Sequence, residues 1–294
     1  RAAVASPSAH TAREHTGPRG RAHTTSPMPL AVATIAHLTL VLPRHWAPSA
    51  GAAAGLPASR RAGAAPVCVF SGIVEEIGEV RRLEQRDDLP LWDGGVGEGV
   101  ELEVGASTVL EGAYLGCSIA VNGVCLTVTK FDADSFCVGL APETLRRTNL
   151  QAAAPGAALN LERALAADGR NSGHLVQGHV DDVGTIEAMV PDGEALTVRV
   201  RPPKSLLPYI VPKGFICVDG TSLTVCEVNQ AEGWFDFMLV SFTQAHITLP
   251  RKAVGDAVNL EVDVTAKYVE RSVGGLAQRV AELEAEVARL KAAQ

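Results

Sequence analysis

Four side chains of this 294-residue chain could do chemistry together: Cys125, His179, Ser222 and Thr224. A thiol is polarizable and, once deprotonated, nucleophilic. An imidazole passes protons between partners. Ser222 and Thr224 are two residues apart, so on a strand their hydroxyls share one face. Such a set can move a proton and supply or assist a nucleophile. Each also has a plain structural role open to it. Cys125 sits in an apolar run, as buried strand thiols do, and Thr is a good strand residue. His174 reads as a turn histidine.

The elements that must position these residues occur twice. Gln177-Gly178-His179-Val180-Asp181-Asp182-Val183-Gly184 parallels Ser71-Gly72-Ile73-Val74-Glu75-Glu76-Ile77-Gly78, 106 residues apart. Asp219-Gly220-Thr221-Ser222-Leu223-Thr224-Val225 parallels Asn122-Gly123-Val124-Cys125-Leu126-Thr127-Val128 at an offset of 97. Val254–Glu261 parallels Pro155–Glu162 at 99. This is a duplicated domain of about 100 residues, too long a period for a solenoid unit. The copies differ at telling positions. Cys125 stands where the second copy has Ser222, Ile73 where it has His179, and Ala164 where it has Asp263, while Thr127 and Thr224 match. Two similar pockets with unlike groups suit one reaction on two similar molecules in different roles.

Both copies read as short strands. Val100–Val104, Ser118–Val121, Leu126–Thr129 and Phe136–Leu140 are strand candidates in the first, and Leu196–Val200, Phe215–Val218, Leu223–Val228 and Phe235–Val240 in the second. Asn122-Gly123 and Asp219-Gly220 are hairpin turns, since both residue types accept positive φ. The pattern predicts an all-β architecture closed into barrels, which removes sheet edges. Asp87–Gly99 reads as a loop and Leu206–Tyr209 as a short helix. Leu276, Val280, Leu283, Val287 and Leu290 form an a/d stripe on a C-terminal helix, for oligomer contacts or for packing on the chain's own barrel. The boundaries expected are 1–67, 68–167, 168–265 and 266–294.

Charge separates the first segment from the rest. Residues 1–67 hold seven arginines and one acid, a net +6. The remainder has 19 basic and 32 acidic residues, −13, a poor match for phosphate backbones. No nucleic-acid partner is expected. The Arg-, Ser- and Ala-rich, acid-poor opening reads as a transit peptide with a plastid address, a secretory signal being the alternative. Its apolar run Leu30–Leu42 is too short to cross a bilayer, and no membrane span is expected. None of the six cysteines forms a close CxxC pair, so neither a zinc site nor a disulfide framework is predicted.

Taken in order, Phe70–Glu75, Asn122–Val128, Pro142-Glu143-Thr144-Leu145-Arg146, Gly173–Val180 and Lys213–Phe215 through Asp219–Val225 closely resemble riboflavin synthase of the alpha-chain type, across residues 69–290. The resemblance implies two Greek-key β-barrels and a C-terminal helix, assembled as a trimer and associated with lumazine synthase. It implies dismutation of two 6,7-dimethyl-8-ribityllumazine molecules by four-carbon transfer, without metal or cofactor. The site it implies lies between the N-terminal barrel of one subunit and the C-terminal barrel of the next. It assigns Ser118, Cys125 and Thr127 to the N-terminal pocket, and His179, Ser222, Thr224 and Asp263 to the C-terminal one. The lining stretches it implies are Gly72-Ile73-Val74, Gly139-Leu140-Ala141-Pro142-Glu143-Thr144, Gly178 with Val180, and Val240-Ser241-Phe242-Thr243-Gln244-Ala245. Leu126 and Leu223 flank the strand residues, and Lys213 reaches in from a neighbour. Ser241–Gln244 departs from Pro142–Leu145, which leaves the backbone to serve there. The alternative is a non-catalytic lumazine- or flavin-binding protein, which can lose one residue set; this chain keeps both.

Overall fold

The structure, a computed structural model, describes residues 69–90 and 95–293. The expected transit segment and Cys68 lie outside the described residues.

Alternating burial folds each copy into a closed six-stranded barrel. The first uses β1 (Glu76–Pro90), β2 (Val96–Gly105), β3 (Ser118–Val121), β4 (Val124–Phe131), β5 (Ser135–Leu140) and β6 (Ala158–Arg163), in the order β1-β2-β5-β4-β3-β6. The second uses β7 (Asp182–Asp192), β8 (Ala195–Arg201), β9 (Phe215–Val218), β10 (Thr221–Asn229), β11 (Trp234–Leu239) and β12 (Ala257–Val262), in the order β10-β11-β8-β7-β12-β9. All pairings are antiparallel. Inward residues fill each barrel: Leu102, Ile119, Phe136 and Leu161 in the first, Ile186, Ile216, Phe237 and Leu260 in the second. Even the irregularities recur. Bulges at Val80/Arg82 and Val128/Lys130 reappear at Ile186/Ala188 and Val225/Glu227, the local kinks that help a sheet curl shut.

Of the expected loop Asp87–Gly99, residues 87–90 and 96–99 are strand, and 91–94 lie outside the described residues. Arg86 pairs with Gly99, Leu89 with Gly97 and Pro90 with Val96, so the hairpin continues as a two-stranded ribbon. A ribbon supplies its own backbone hydrogen bonds, with Asp87 and Asp88 taken up at a register shift between Arg86 and Leu89 and Gly97 and Gly99 paired in the ladder. This extra length also explains why the repeat offset falls from 106 to 97. Leu207–Tyr209 is a single 3-10 turn.

The barrels meet tip to tip. Asn122 and Asp219 take positive φ, 46° and 44°, in their hairpin turns. Asn259 Nδ2 donates to Asn122 O at 2.9 Å, and Asn160 Nδ2 to Asp219 O at 2.8 Å, related by a pseudo-twofold axis. The buried Asp219 carboxylate is neutralised by Lys252 Nζ at 2.6 Å. Two short helices, α1 (Pro142–Arg147) and α2 (Ser241–His246), follow β5 and β11. The long α3 (Val264–Ala292) starts earlier than expected and carries Gly274-Gly275 inside it. Its stripe is exposed at Leu276, Val280, Leu283, Val287 and Leu290, so it does not pack on the chain's own barrels, and Val269 and Val273 extend it.

Candidate active site

Each barrel is covered by the other repeat's leading segment. Residues 71–75 and 177–181 form two straps that start side by side, with Phe70 N donating to Val176 O at 2.7 Å and Val176 N to Phe70 O at 3.1 Å. The straps then cross over. Cys125 N on β4 donates to Gly178 O at 2.8 Å, and Ser222 N on β10 donates to Gly72 O at 2.7 Å. Val180 packs on the first barrel's core and Val74 on the second's. Both glycines are required. At φ 76°, a Cβ on Gly178 would stand 2.6 Å from Cys125 Cβ; at φ 74°, one on Gly72 would stand 2.7 Å from Ser222 Cβ and N.

A buried carboxylate latches each strap. Glu162, at the end of β6, accepts Ser71 N–H and O–H at 2.7 Å each and Gly72 N–H at 3.0 Å. Glu261, at the same place on β12, accepts Gln177 N–H at 2.7 Å and His179 N–H at 2.9 Å. Burial pushes both carboxyl pKa values above the ordinary carboxylate range, and the strap N–H donors pull the other way. The sequence signal for these latches is the Asn-Leu-Glu shared by 160–162 and 259–261.

The strand residues fall where their alternation predicts. Cys125 and Ser222 are half-buried and Thr127 and Thr224 exposed, all on outer barrel faces. Ser118 pairs opposite Thr127 on the same face. The side chains of Leu126, Leu140 and Leu223 are buried in the barrel cores, so it is their backbones that are available to line a site.

His179 stands apart from Ser222 within this chain. It lines a cleft of about 530 Å³ with Cys125, Glu143, Thr144, Gly178 and Val180, and Ser222 is not among the walls. The strap carries it across to the first barrel, so it joins the Cys125 set. Arg147 and Lys267 also line this cleft, and the sequence pattern had not singled them out. On the second face the histidine is His174. Its Nδ1 lies 2.6 Å from Ser222 Oγ, and its ring stacks on Phe215 at 5.2 Å. Its Nε2 is buried without a hydrogen-bond partner. Burial lowers its pKa from the ordinary value, opposed by the Asp263 carboxylate, so near neutral pH the ring is a neutral partner for the serine. His174 is therefore no simple turn residue. Asp263 itself caps α3, accepting from Thr265 N at 2.8 Å.

The remaining lining residues occupy the rims. Gly139 and Ala141-Pro142-Glu143 are exposed where β5 runs into α1, and Ile73 is exposed on the first strap. Around α2, Val240, Ser241 and Ala245 are exposed and Thr243 half-buried. Gln244 Nε2 donates to Glu194 O and Leu239 O, each at 2.9 Å. Phe242 is exposed and stacks on His246 at 4.1 Å. Lys213 is exposed in a turn at φ 65°. Among the cysteines, Cys217 and Cys137 are buried, and burial raises both thiol pKa values; Cys226 is exposed. Among the described residues no His, Cys, Asp or Glu cluster has metal-ligand geometry, and no helix is long and apolar enough to cross a membrane.

These two faces coincide with known sequence units. The family profile described as "Lumazine binding domain" matches twice, at residues 71–164 and 177–263. The riboflavin synthase of Meyerozyma guilliermondii is 46% identical over 209 residues, covering 70% of this chain and 86% of that protein. That of Schizosaccharomyces pombe is 44% identical over 206 residues, covering 70% and 94%. That of Mycobacterium tuberculosis is 45% identical over 205 residues, covering 69% and 97%. Among solved structures, LumP complexed with riboflavin has a TM-score of 0.57 at 21% identity, over 66% of this chain and 98% of that one. LumP complexed with 6,7-dimethyl-8-(1'-D-ribityl) lumazine gives 0.56 at 22%, with the same coverage. At that identity the likeness concerns the fold.

Proposed function

The chain belongs to the riboflavin synthase family, and from that premise we propose that its two strap-covered faces hold the two lumazines of one dismutation. The enzyme is a transferase: one 6,7-dimethyl-8-ribityllumazine gives a four-carbon unit to another, leaving riboflavin and a ribitylamino-pyrimidinedione. A proton must leave the 7-methyl group of one ring and a nucleophile must add to the other. Holding the rings face to face supplies part of the barrier, up to about 7–11 kcal/mol in the best cases. General acid–base help adds typically about 10²–10⁴-fold.

The observation that carries this reading is that the strap exchange gives each face its own histidine. Cys125 and His179 share one cleft, and His174 touches Ser222 on the other face. In the Cys125 cleft a polarizable thiol lies beside an exposed imidazole that can exchange protons with solvent. On the Ser222 face the neutral ring at 2.6 Å orients the hydroxyl, and Thr224 adds a second. The faces thus bind the same molecule with different donors, as donor and acceptor roles require.

The working site is proposed to join the Cys125 face of one subunit to the Ser222 face of the next within a trimer. The exposed apolar stripe of α3 supports such an assembly. Lumazine synthase is the further partner proposed, as supplier of the substrate. The basic, acid-poor segment 1–67 is proposed as a plastid address.

Incubating the purified chain with the lumazine alone tests the function. Flavin fluorescence should appear without added oxidant, reductant or metal, with one riboflavin formed per two lumazines consumed. Binding without conversion contradicts the reading.

A further inference from the structure

The two straps are anchored alike except at their ends. Strap 71–75 ends at Glu75, whose carboxylate accepts Arg163 N–H at 2.8 Å and the same residue's Nη2 at 2.7 Å. Acceptor and cation thus both come from within the first repeat, the cation from the last residue of β6. Strap 177–181 ends at Asp181, whose Oδ2 accepts Val262 N–H at 2.9 Å in the corresponding way. Position 262 is a buried valine and brings no charge. The cation comes instead from α3: Lys267, the fourth residue of the helix, places Nζ 2.7 Å from Asp181 Oδ1. Lys267 also lines the cleft that holds Cys125 and His179.

The geometry points to Lys267 as a positioning residue that holds the His179 strap over Cys125 through Asp181, tying the first turn of α3 to that cleft and not to the Ser222 face. The Lys267 and Asp181 side chains are 31% and 20% exposed, and ion pairs this accessible add little to global stability. Misplacement of a reacting group by even an ångström is far more costly to rate. Loss of the pair therefore acts on turnover before it acts on folding. The inference rests on the reading that Cys125 and His179 serve the reaction.

The test is steady-state and single-turnover conversion of 6,7-dimethyl-8-ribityllumazine by the full chain, with the fluorescence of bound lumazine followed alongside. Lys267→Met should lower kcat roughly tenfold with a smaller change in KM, and Lys267→Arg should restore most of it. Asp181→Asn keeps an acceptor for Val262 N–H and loses the charge, and it should reproduce the Met variant. The double variant should be no slower than either single one. Parent turnover in Lys267→Met overturns the inference. So does a loss in Lys267→Met without one in Asp181→Asn, which would mean that the ammonium acts on the ligand itself. Losses that multiply in the double variant overturn it as well. If Lys267→Met does not fold, Asp181→Asn decides alone: a tenfold loss reversed by no other defect supports the inference, and parent turnover overturns it. Cys125→Ala is the control on the underlying reading. If it turns over at the parent rate the cleft is not the site and the inference falls with it; if only Cys125→Ala is slow, the inference alone is wrong.

Discussion

Under strap 177–181 the first barrel presents Cys125 and Thr127, with His179 brought in by the strap. Under strap 71–75 the second barrel presents Ser222 and Thr224, with His174 against the serine and Phe215 stacked on the imidazole. The frame around both faces is the same: a strap carbonyl bound to the strand, a buried glutamate latch, bulges at matching places. Duplication has kept what closes the barrels and varied what faces outward. The differing residues sit on outer faces or in strap centres, where a change of side chain leaves the cores intact. A fold can therefore make one pocket a thiol site and the other a hydroxyl site without repacking either barrel.

The harshest way to break the comparison is to lift one strap at a time. Gly178→Val should push the strap off Cys125, and Gly72→Val should do the same at Ser222, because each new Cβ would collide with the strand. Each is expected to destabilise by on the order of 3 kcal/mol and to lower turnover more than about 100-fold. Urea unfolding and lumazine conversion read the two effects; a tolerated valine at either site would mean that the straps are not held as described.

The next break is in assembly. Leu283→Asp with Val287→Asp puts two charges into the apolar stripe of α3. Sedimentation should show smaller species, and turnover should fall with them if the faces of neighbouring chains work together. A fully active monomer would refute the shared site.

The smallest effect sets His174 against the two glutamate latches. His174 holds its proton less well in the folded chain than in the unfolded one. The unfolded chain therefore takes up the extra proton first, and this residue costs stability as pH falls below about 6.5. Glu162 and Glu261 have the opposite sign: their raised folded values add stability as pH falls toward the ordinary carboxyl value of 4.5. His174→Gln should flatten the acid-side loss and leave the glutamate contribution. Thermal melts from pH 7 to 5 check this, and an unchanged slope would count against a buried neutral His174.

What could be read in the sequence was local or periodic. Ser118–Val121 and Phe215–Val218 are strands with the predicted bounds, because β-branched alternation and an adjoining turn specify them. The hydroxyls of Ser222 and Thr224 share a face for the same reason. The ribbon of residues 87–90 and 96–99 was illegible because backbone pairing, and no side-chain pattern, makes it. α1 and α2 were missed because Pro142–Leu145 and Ser241–Gln244 share little beyond length. The side of the molecule on which His179 works was also hidden. That depends on Gly178 meeting Cys125 across the two repeats, a tertiary contact with no periodic trace.

The most direct test of the two-face account is complementation between two half-dead chains. Cys125→Ala and Ser222→Ala are each expected to be nearly inactive alone. Mixed after reversible dissociation, hybrid oligomers would rejoin an intact Cys125 face from one chain with an intact Ser222 face from another. In a closed ring of randomly mixed chains about a quarter of the sites are then complete. The account predicts that riboflavin formation recovers to about that fraction of the parent rate. Activity that stays at the sum of the two separate variants would contradict it.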